Sequence, residues 1–303
     1  MEQFLACHQH AFAFFGNRVP ENIMVDNLKS AVLKRLTGEA PVFNPRYLDF
    51  SNHFGFTIKA CNVRKGNEKG RVENGVGYIK KNLLNGLAIP DFSVINPAAH
   101  VWLETLERQQ RSIQRRIRQA RFPVIKTLDP FQWTWPSKIN QLQVQNLFRL
   151  KFIEDNGNVI FLGGVGLGKT RLATALGYAA CLKGHSVLFT TAVDVINTLA
   201  AAQKTGQLKQ TLNRYLRPTL IILDEIGYLP IDKTGADLLF QVISQRYERG
   251  SIVLTSNRVF KKWPEIFNND ATLTSALLDR LLHHAETVII EGKSYRMKDQ
   301  IKP

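Results

Sequence analysis

The chain has little cysteine: three residues in 303, Cys7, Cys61 and Cys181, widely spaced and odd in number. That usage argues against a disulfide framework and fits free thiols in a reducing compartment, the cytoplasm. No stretch approaches the roughly 18 uninterrupted apolar residues that a membrane span needs. Met1-Glu2-Gln3-Phe4 begins no basic-then-apolar leader. Low-complexity tracts and internal repeats are also missing, which sets aside solenoid and tail-like organisation. What remains is 44% hydrophobic and 21% charged, the composition of an ordinary globular chain long enough for one large or two modest cores.

Acidic residues are scarce relative to basic ones, and the net charge is +15. Residues 1–104 carry 12 Lys/Arg against 9 Asp/Glu, whereas the remainder carries 28 against 16, so the excess sits in the later part. Polyanions, nucleic acid first, are the partners such an imbalance favours; a solvated basic surface is the plainer alternative. The excess concentrates between Leu106 and Lys126, where Arg108, Arg111, Arg115, Arg116, Arg118, Arg121 and Lys126 face one acid, Glu107. Neither proline nor glycine interrupts this stretch before Pro123, which predicts a basic helix, with Arg115, Arg116 and Arg118 the candidates for a DNA backbone contact.

The chain divides by pattern into residues 1–104, a basic helix and linker over 105–137, and residues 138–303. Over the first part the pattern predicts helices at 2–16, 45–54 and 68–84, with strands at 23–25 and 57–61. Beyond the basic helix lies an aromatic cluster, Phe131, Trp133 and Trp135, before a helix expected over 138–153. Strand, loop and helix then alternate. Continuous apolar runs at 159–162, 186–191, 219–223 and 251–255 predict parallel strands covered on both faces. Helices are expected between them at 169–182, 193–204 and 234–248. The fold class is α/β, a parallel sheet between helices.

Four signals carry chemistry. Gly163-Gly164-Val165-Gly166-Leu167-Gly168-Lys169-Thr170 matches G-x-x-x-x-G-K-[ST] in full, between an apolar strand and a helix. Glycines let backbone N–H groups turn inward around phosphates, Lys169 reaches the β- and γ-phosphates, and Thr170 coordinates Mg²⁺. The strand Leu220-Ile221-Ile222-Leu223 ends in Asp224-Glu225, adjacent carboxylates that point to different sides. Asp224 suits the Mg²⁺ shell, and Glu225 suits polarising the attacking water. Thr255-Ser256-Asn257-Arg258 ends another strand; were that strand to lie between the other two, Asn257 would sit beside the γ-phosphate, and otherwise it is an Asn-Arg turn. Arg280, in Leu277-Leu278-Asp279-Arg280, suits neutralising charge on a phosphoryl group bound by a neighbouring subunit, or pairs locally with Asp279.

These elements in this order resemble the AAA+ P-loop ATPases. The run Leu223-Asp224-Glu225-Ile226-Gly227-Tyr228-Leu229-Pro230, with 238–244, 246–251 and Gly292-Lys293-Ser294-Tyr295-Arg296-Met297-Lys298, resembles the IstB-like subgroup of transposition helper ATPases, kin of the DnaC-type helicase loaders. Over residues 107–298 the resemblance implies ATP and Mg²⁺ as cofactors and homo-oligomers with ATP at subunit interfaces. It also implies duplex DNA and a DDE transposase as partners, with Asn257 at the sensor and Arg280 at the arginine-finger position. Family members carry a helical N-terminal module, of which only the basic stretch 107–126 is expected here. A helicase loader and a nucleotide-dependent DNA-binding switch are the alternative functions. For Phe131, Trp133 and Trp135, adenine stacking and core packing stay open.

Residues 1–104 resemble something else. The stretches 23–32 and 62–77 look like the later part of an IstA-type DDE transposase core, an RNase H-like fold that binds two metal ions through three carboxylates. Asp26 matches the second acid and Glu73 the third; the first would lie on a strand before Met1. The expectation is an incomplete RNase H-like fragment without strand-transfer activity. Cys7, His8, His10 and Cys61 make a poor zinc set, because Cys7 and His8 are adjacent and the helix turns His8 and His10 apart.

Overall fold

Caps and apolar spacing set the first elements. In the computed structural model, which describes residues 1–26, 28–34, 39–61, 81, 83 and 95–297, contacts divide the chain into two units, Met1–Leu103 and Glu104–Pro303. The first unit begins with helix α1 (Glu2–Phe14). Strands β1 (Asn22–Val25) and β4 (Thr57–Ala60) pair in parallel, from Asn22 opposite Thr57 to Val25 opposite Ala60. The short antiparallel pair β2 (Val32–Lys34) and β3 (Val42–Phe43) was not anticipated from the pattern. Helix α2 (Pro45–Phe54) has Asn44 accepting from the Arg46 N–H, Pro45 in its first turn, and Gly55 closing it in the left-handed region. Phe12, Val25, Tyr47, Phe50, Phe56 and Ile58 form its core.

Tyr47 is fully buried, and burial pushes its hydroxyl pKa up to about 12. Its hydroxyl lies 3.0 Å from Nε2 of His8, whose Nδ1 lies 2.9 Å from the Phe4 carbonyl. The carbonyl only accepts, so Nδ1 carries the proton and Nε2 receives the tyrosine hydroxyl. Both ring nitrogens of His8 are thereby used within the protein. The helix predicted over 68–84, with Glu73, lies outside the described residues.

Helix α3 (Ile95–Ala120) starts earlier than its basic stretch, and Pro97 is tolerated because first-turn N–H groups need no helical partner. It ends where Arg121 turns left-handed (φ 59°) and Pro123 excludes helical geometry at Phe122. The single helix expected over 138–153 is instead two, α4 (Gln141–Leu147) and α5 (Lys151–Glu154), broken at Leu150 with φ 64°. Leu147, Leu150, Phe152 and Ile153 are all buried against one core. On one straight helix these four would spread around the cylinder, so the chain must bend to bury them together.

The second unit is built on five parallel strands: β5 (Asn158–Gly163), β6 (Val187–Thr191), β7 (Leu220–Ile226), β8 (Ser251–Ser256) and β9 (Ala285–Ile290). Their order across the sheet is β6-β7-β8-β5-β9. Side chains alternate between two cores. Ile160, Leu162, Ile221, Leu223, Ile252 and Leu254 face one; Val159, Phe161, Leu220, Ile222 and Val253 face the other. The first core is covered by α7 (Ala192–Lys204), α8 (Leu208–Leu216), α9 (Lys233–Arg246) and α11 (Ala271–Leu282), next to the short α10 (Trp263–Ile266). The second is covered by the end of α3, by α4 and α5, and by α6 (Lys169–Leu182). This is the expected α/β architecture with a parallel sheet.

One charged side chain sits inside it. Arg246 is 2% exposed and has no carboxylate partner among the described residues. Its Nη1 donates to the carbonyls of Tyr215 (2.9 Å), Leu216 (3.3 Å) and Pro218 (2.9 Å), and its Nη2 to those of Thr219 (3.1 Å) and Ser251 (2.9 Å). Burial lowers its pKa to about 10, so it remains a cation at neutral pH. Replacing Arg246 by Met strands several buried carbonyls, each costing about 1–3 kcal/mol. The expected result is a loss of about 3 kcal/mol or more, read as a fall in thermal midpoint of roughly 10 °C. An unchanged midpoint would contradict the assigned role.

Candidate nucleotide-binding site

The loop over 163–168 leaves the tip of β5 and enters α6, whose N-terminus follows directly at Lys169. Gly166 and Gly168 take φ of 76° and 88°, which glycine alone adopts without strain. At Gly166 space is short as well, because a Cβ would collide with the Ser294 hydroxyl. The loop N–H groups and the positive end of the α6 dipole make an anion cradle. Lys169 folds over it and donates from Nζ to the Gly164 carbonyl at 2.7 Å. Burial lowers the Lys169 pKa; Asp224 and Glu225 oppose the shift, and Arg296 adds to it.

Strand order places the acids. Because β8 lies between β5 and β7, three strand tips meet at one edge. Thr170 donates from Oγ1 to Asp224 Oδ1 at 3.0 Å. Thr255, at the end of β8, donates to the same oxygen at 2.5 Å, and its hydroxyl accepts from the Glu225 N–H at 3.0 Å. Asp224 is 3% exposed. The β7–β8 register shifts between Leu223 and Ile226, and Glu225 takes φ 61°. That bulge aims Asp224 inward at Thr170 and leaves Glu225 exposed at the cleft. A hydroxyl and a carboxylate held together form an all-oxygen donor set of the kind a hard divalent cation takes. Asn257 follows β8 directly, and its Oδ1 is buried without a hydrogen-bond partner.

Beside the loop a cavity of about 210 Å³ is lined by Phe131, Gln132, Trp135, Leu167, Tyr295 and Arg296, among others. The C-terminal segment reaches it through main-chain bonds. Tyr295 N–H donates to the Gly166 carbonyl (3.0 Å), and Lys138 and Glu291 exchange both backbone bonds (3.2 and 3.0 Å). Trp135 donates from Nε1 to the Lys293 carbonyl at 3.0 Å, and its ring meets Tyr295 edge-on at 5.6 Å. The aromatic trio therefore divides. Trp135 walls the cavity, Trp133 packs on the core, and Phe131 touches both.

Other predicted residues lie elsewhere. Arg280 stands on α11 with its guanidinium 5.0 Å above the Phe240 ring and Nη1 donating to the Ala276 carbonyl at 2.8 Å. It lines a separate cleft with Asn158, Tyr247 and Glu248, outside this chain's own nucleotide cavity. Arg115 and Arg118 are exposed on α3, whereas Arg116 is half-buried and close enough to Cys181 for its charge to act on that thiol. Asp26 directly follows β1 and is exposed. Cys7, His8, His10 and Cys61 do not come together: among the described residues, the groups with ligand spacing reduce to Glu248, His283 and His284, all exposed. Thr255, Gln132 and the strap at Ser294–Arg296 were not assigned to the site from sequence; the polar end of an otherwise apolar β8 was the available signal for Thr255.

A parallel sheet with a phosphate loop on one strand, an acid two strands away and a polar strand tip between them defines a P-loop nucleotide-binding protein. The profile of the IstB-like ATP-binding proteins matches residues 99–303, and the chain belongs to that family. It is 42% identical over 197 residues to an insertion sequence IS5376 ATP-binding protein of Geobacillus stearothermophilus, covering 65% of this chain and 78% of that protein. It is 45% identical over 195 residues to an insertion sequence IS21 ATP-binding protein of Pseudomonas aeruginosa, covering 64% and 73%. Among solved structures, the DnaC helicase loader aligns at TM-score 0.45 and 22% identity over 55% of this chain and 96% of that one.

With the Lys169 side chain cut back to a methyl, in Lys169→Ala, the cradle keeps its N–H groups but loses its mobile cation. ATP affinity is expected to fall at least about a hundredfold by fluorescent-nucleotide titration, since hydrogen bonds to charged groups contribute about 1.5–3 kcal/mol each. Unchanged affinity would remove the phosphate-loop assignment.

Proposed function

We propose that the chain is an ATP-hydrolysing, DNA-associated helper of an insertion sequence, acting on duplex DNA and stimulating a DDE transposase. The observation that carries hydrolysis is the split of the adjacent acids: Asp224 is tied to Thr170 and Thr255, and Glu225 is left exposed beside the cradle. Thr170 and Asp224 would hold Mg²⁺, which when bound neutralises charge on the β- and γ-phosphate oxygens. Glu225 accepts the proton of the attacking water, and the unpartnered Asn257 Oδ1 orients that water. Arg280, turned away from its own cavity, serves the ATP of a neighbouring copy in a homo-oligomer. The exposed Arg115 and Arg118 favour the DNA assignment, as do relatives named for insertion sequences. The parallel β1–β4 pair with Asp26 at its end supports reading the first unit as part of a transposase core, Asp26 and Glu73 being its two acids. The working compartment is the cytoplasm.

ATP turnover by the full chain, measured with and without duplex DNA, tests this reading. DNA is expected to stimulate hydrolysis, and Glu225→Gln to lower it by about two to four orders of magnitude, the usual contribution of a general base, with nucleotide binding kept. Negligible turnover in the unmodified chain would replace the reading by a nucleotide-gated DNA-binding switch.

Arg280→Ala separates the trans role from a structural one. It is expected to leave ATP binding intact and to slow turnover by about a thousandfold in the assembled state. Full turnover would end the finger assignment.

A further inference from the structure

At the opposite edge of the sheet from the nucleotide, the starts of β6 and β7 border an open groove of about 310 Å³. Arg121, at the end of α3, forms one wall, and Arg214 and Arg217, at the end of α8, form the other, with Ser186 at the start of β6 between them. No acid lines the groove, and none of these three arginines makes an ion pair among the described residues. All three are exposed. By contrast Arg108 and Arg111, farther back on α3, are each bonded to an acid one turn earlier, Glu104 (2.9 Å) and Glu107 (3.1 Å). The unneutralised charge thus begins at Arg115 and Arg118 on the exposed face of α3 and runs into the groove through Arg121.

The platform under these arginines is fixed. Arg246 holds the carbonyls of Tyr215, Leu216, Pro218 and Thr219, the same short segment that carries Arg214 and Arg217. Arg214 also lies over the ring of buried Tyr215 at 5.7 Å. A cation row on a rigid backbone recognises a ligand whose charges repeat along a line, because little ordering is left to lose on binding. A single phosphate would use one or two guanidiniums and leave the rest unmatched. A nucleic-acid strand, with one charge per 3.4 Å of axis, uses the row.

We propose that the Arg121–Arg214–Arg217 groove, continued by Arg115 and Arg118, is a track for the sugar-phosphate backbone of DNA on the ATPase core itself. The inference rests on the DNA-associated reading above and gives it a location at the sheet edge remote from ATP. Phosphate contacts of this kind set affinity and register rather than sequence choice.

The test is fluorescence anisotropy of a labelled duplex with the full chain across a salt series, comparing the unmodified protein with Arg214→Gln/Arg217→Gln. Both positions are exposed, and neither belongs to the nucleotide site, so fluorescent-ATP affinity serves as the folding control. Loss of two phosphate contacts is expected to make the log–log salt slope shallower by about 1.8 and to weaken binding at low salt about tenfold or more. An unaltered slope and affinity in the variant, with ATP binding intact, overturns the groove while leaving DNA association standing. Failure of the unmodified chain to bind duplex DNA sinks both. A variant that keeps its DNA slope yet loses binding to poly-glutamate overturns the proposal in favour of an acidic protein partner.

Discussion

One carboxylate oxygen organises the second unit's functional edge. Asp224 Oδ1 takes hydrogen bonds from Thr170 and from Thr255, and so joins the helix after β5, the tip of β8 and the tip of β7 at a single atom. A carboxylate 3% exposed is costly to bury unless its lone pairs are used. Here they are used, and their use dictates the rest. Thr255 can serve only if β8 lies between the other two strands, and Asp224 can turn inward only if its neighbour turns out. The bulge and the left-handed Glu225 are the local backbone cost of that second demand, of order 1–3 kcal/mol for a residue held in such a region. The strain falls on the residue that faces the cleft.

The cavity beside this edge is assembled from segments far apart in the chain. Trp135 precedes the sheet and Tyr295 follows it, yet an indole-to-carbonyl bond, a backbone bridge and a ring contact tie the two segments together over the loop. Gly166 must be bare because the strap presses on it through Ser294. The glycine pattern of the loop therefore answers two needs, inward N–H groups for phosphate and clearance for the strap.

What could be read from sequence followed from locality. The four buried strands announced themselves as continuous apolar runs, and helix α6 occupies the span 169–182 that its pattern indicated. The phosphate loop and the acid pair each lie within a few consecutive residues, and strand order then brought them together. The strand β9 was not separately marked, because as an edge strand it is only half-buried and its apolar run is diluted by Glu286 and Thr287. The break at Leu150 and the five-carbonyl role of Arg246 depend on partners dozens of residues away, which no local pattern encodes. Thr255 was hidden for the same reason: a threonine ending a β-strand is ordinary until the strand beside it is known. In the basic helix, composition marked the stretch as helical and cationic, and three-dimensional packing divided its arginines. Arg115 and Arg118 face outward while Arg116 is half-buried.

The sheet thus has two chemically different edges. At the carboxyl ends of β5, β7 and β8, loop amides and Lys169 form an anion cradle beside Asp224 and Glu225. At the amino ends of β6 and β7, Arg121, Arg214 and Arg217 line a groove without an acid among the described residues. Arg246 bears on the second edge as directly as Asp224 does on the first, since its guanidinium fixes the turn from α8 into β7 by four carbonyls and the start of β8 by a fifth. Strand β7 carries both consequences along its length, beginning next to the Arg246 anchor and holding Asp224 near its far end. A strand of seven residues, paired on both sides and buried at six of them, cannot tilt at one end without moving the other. Any ligand that shifts the arginine-lined turn must therefore either leave β7 in place or disturb the register at which Asp224 meets Thr170.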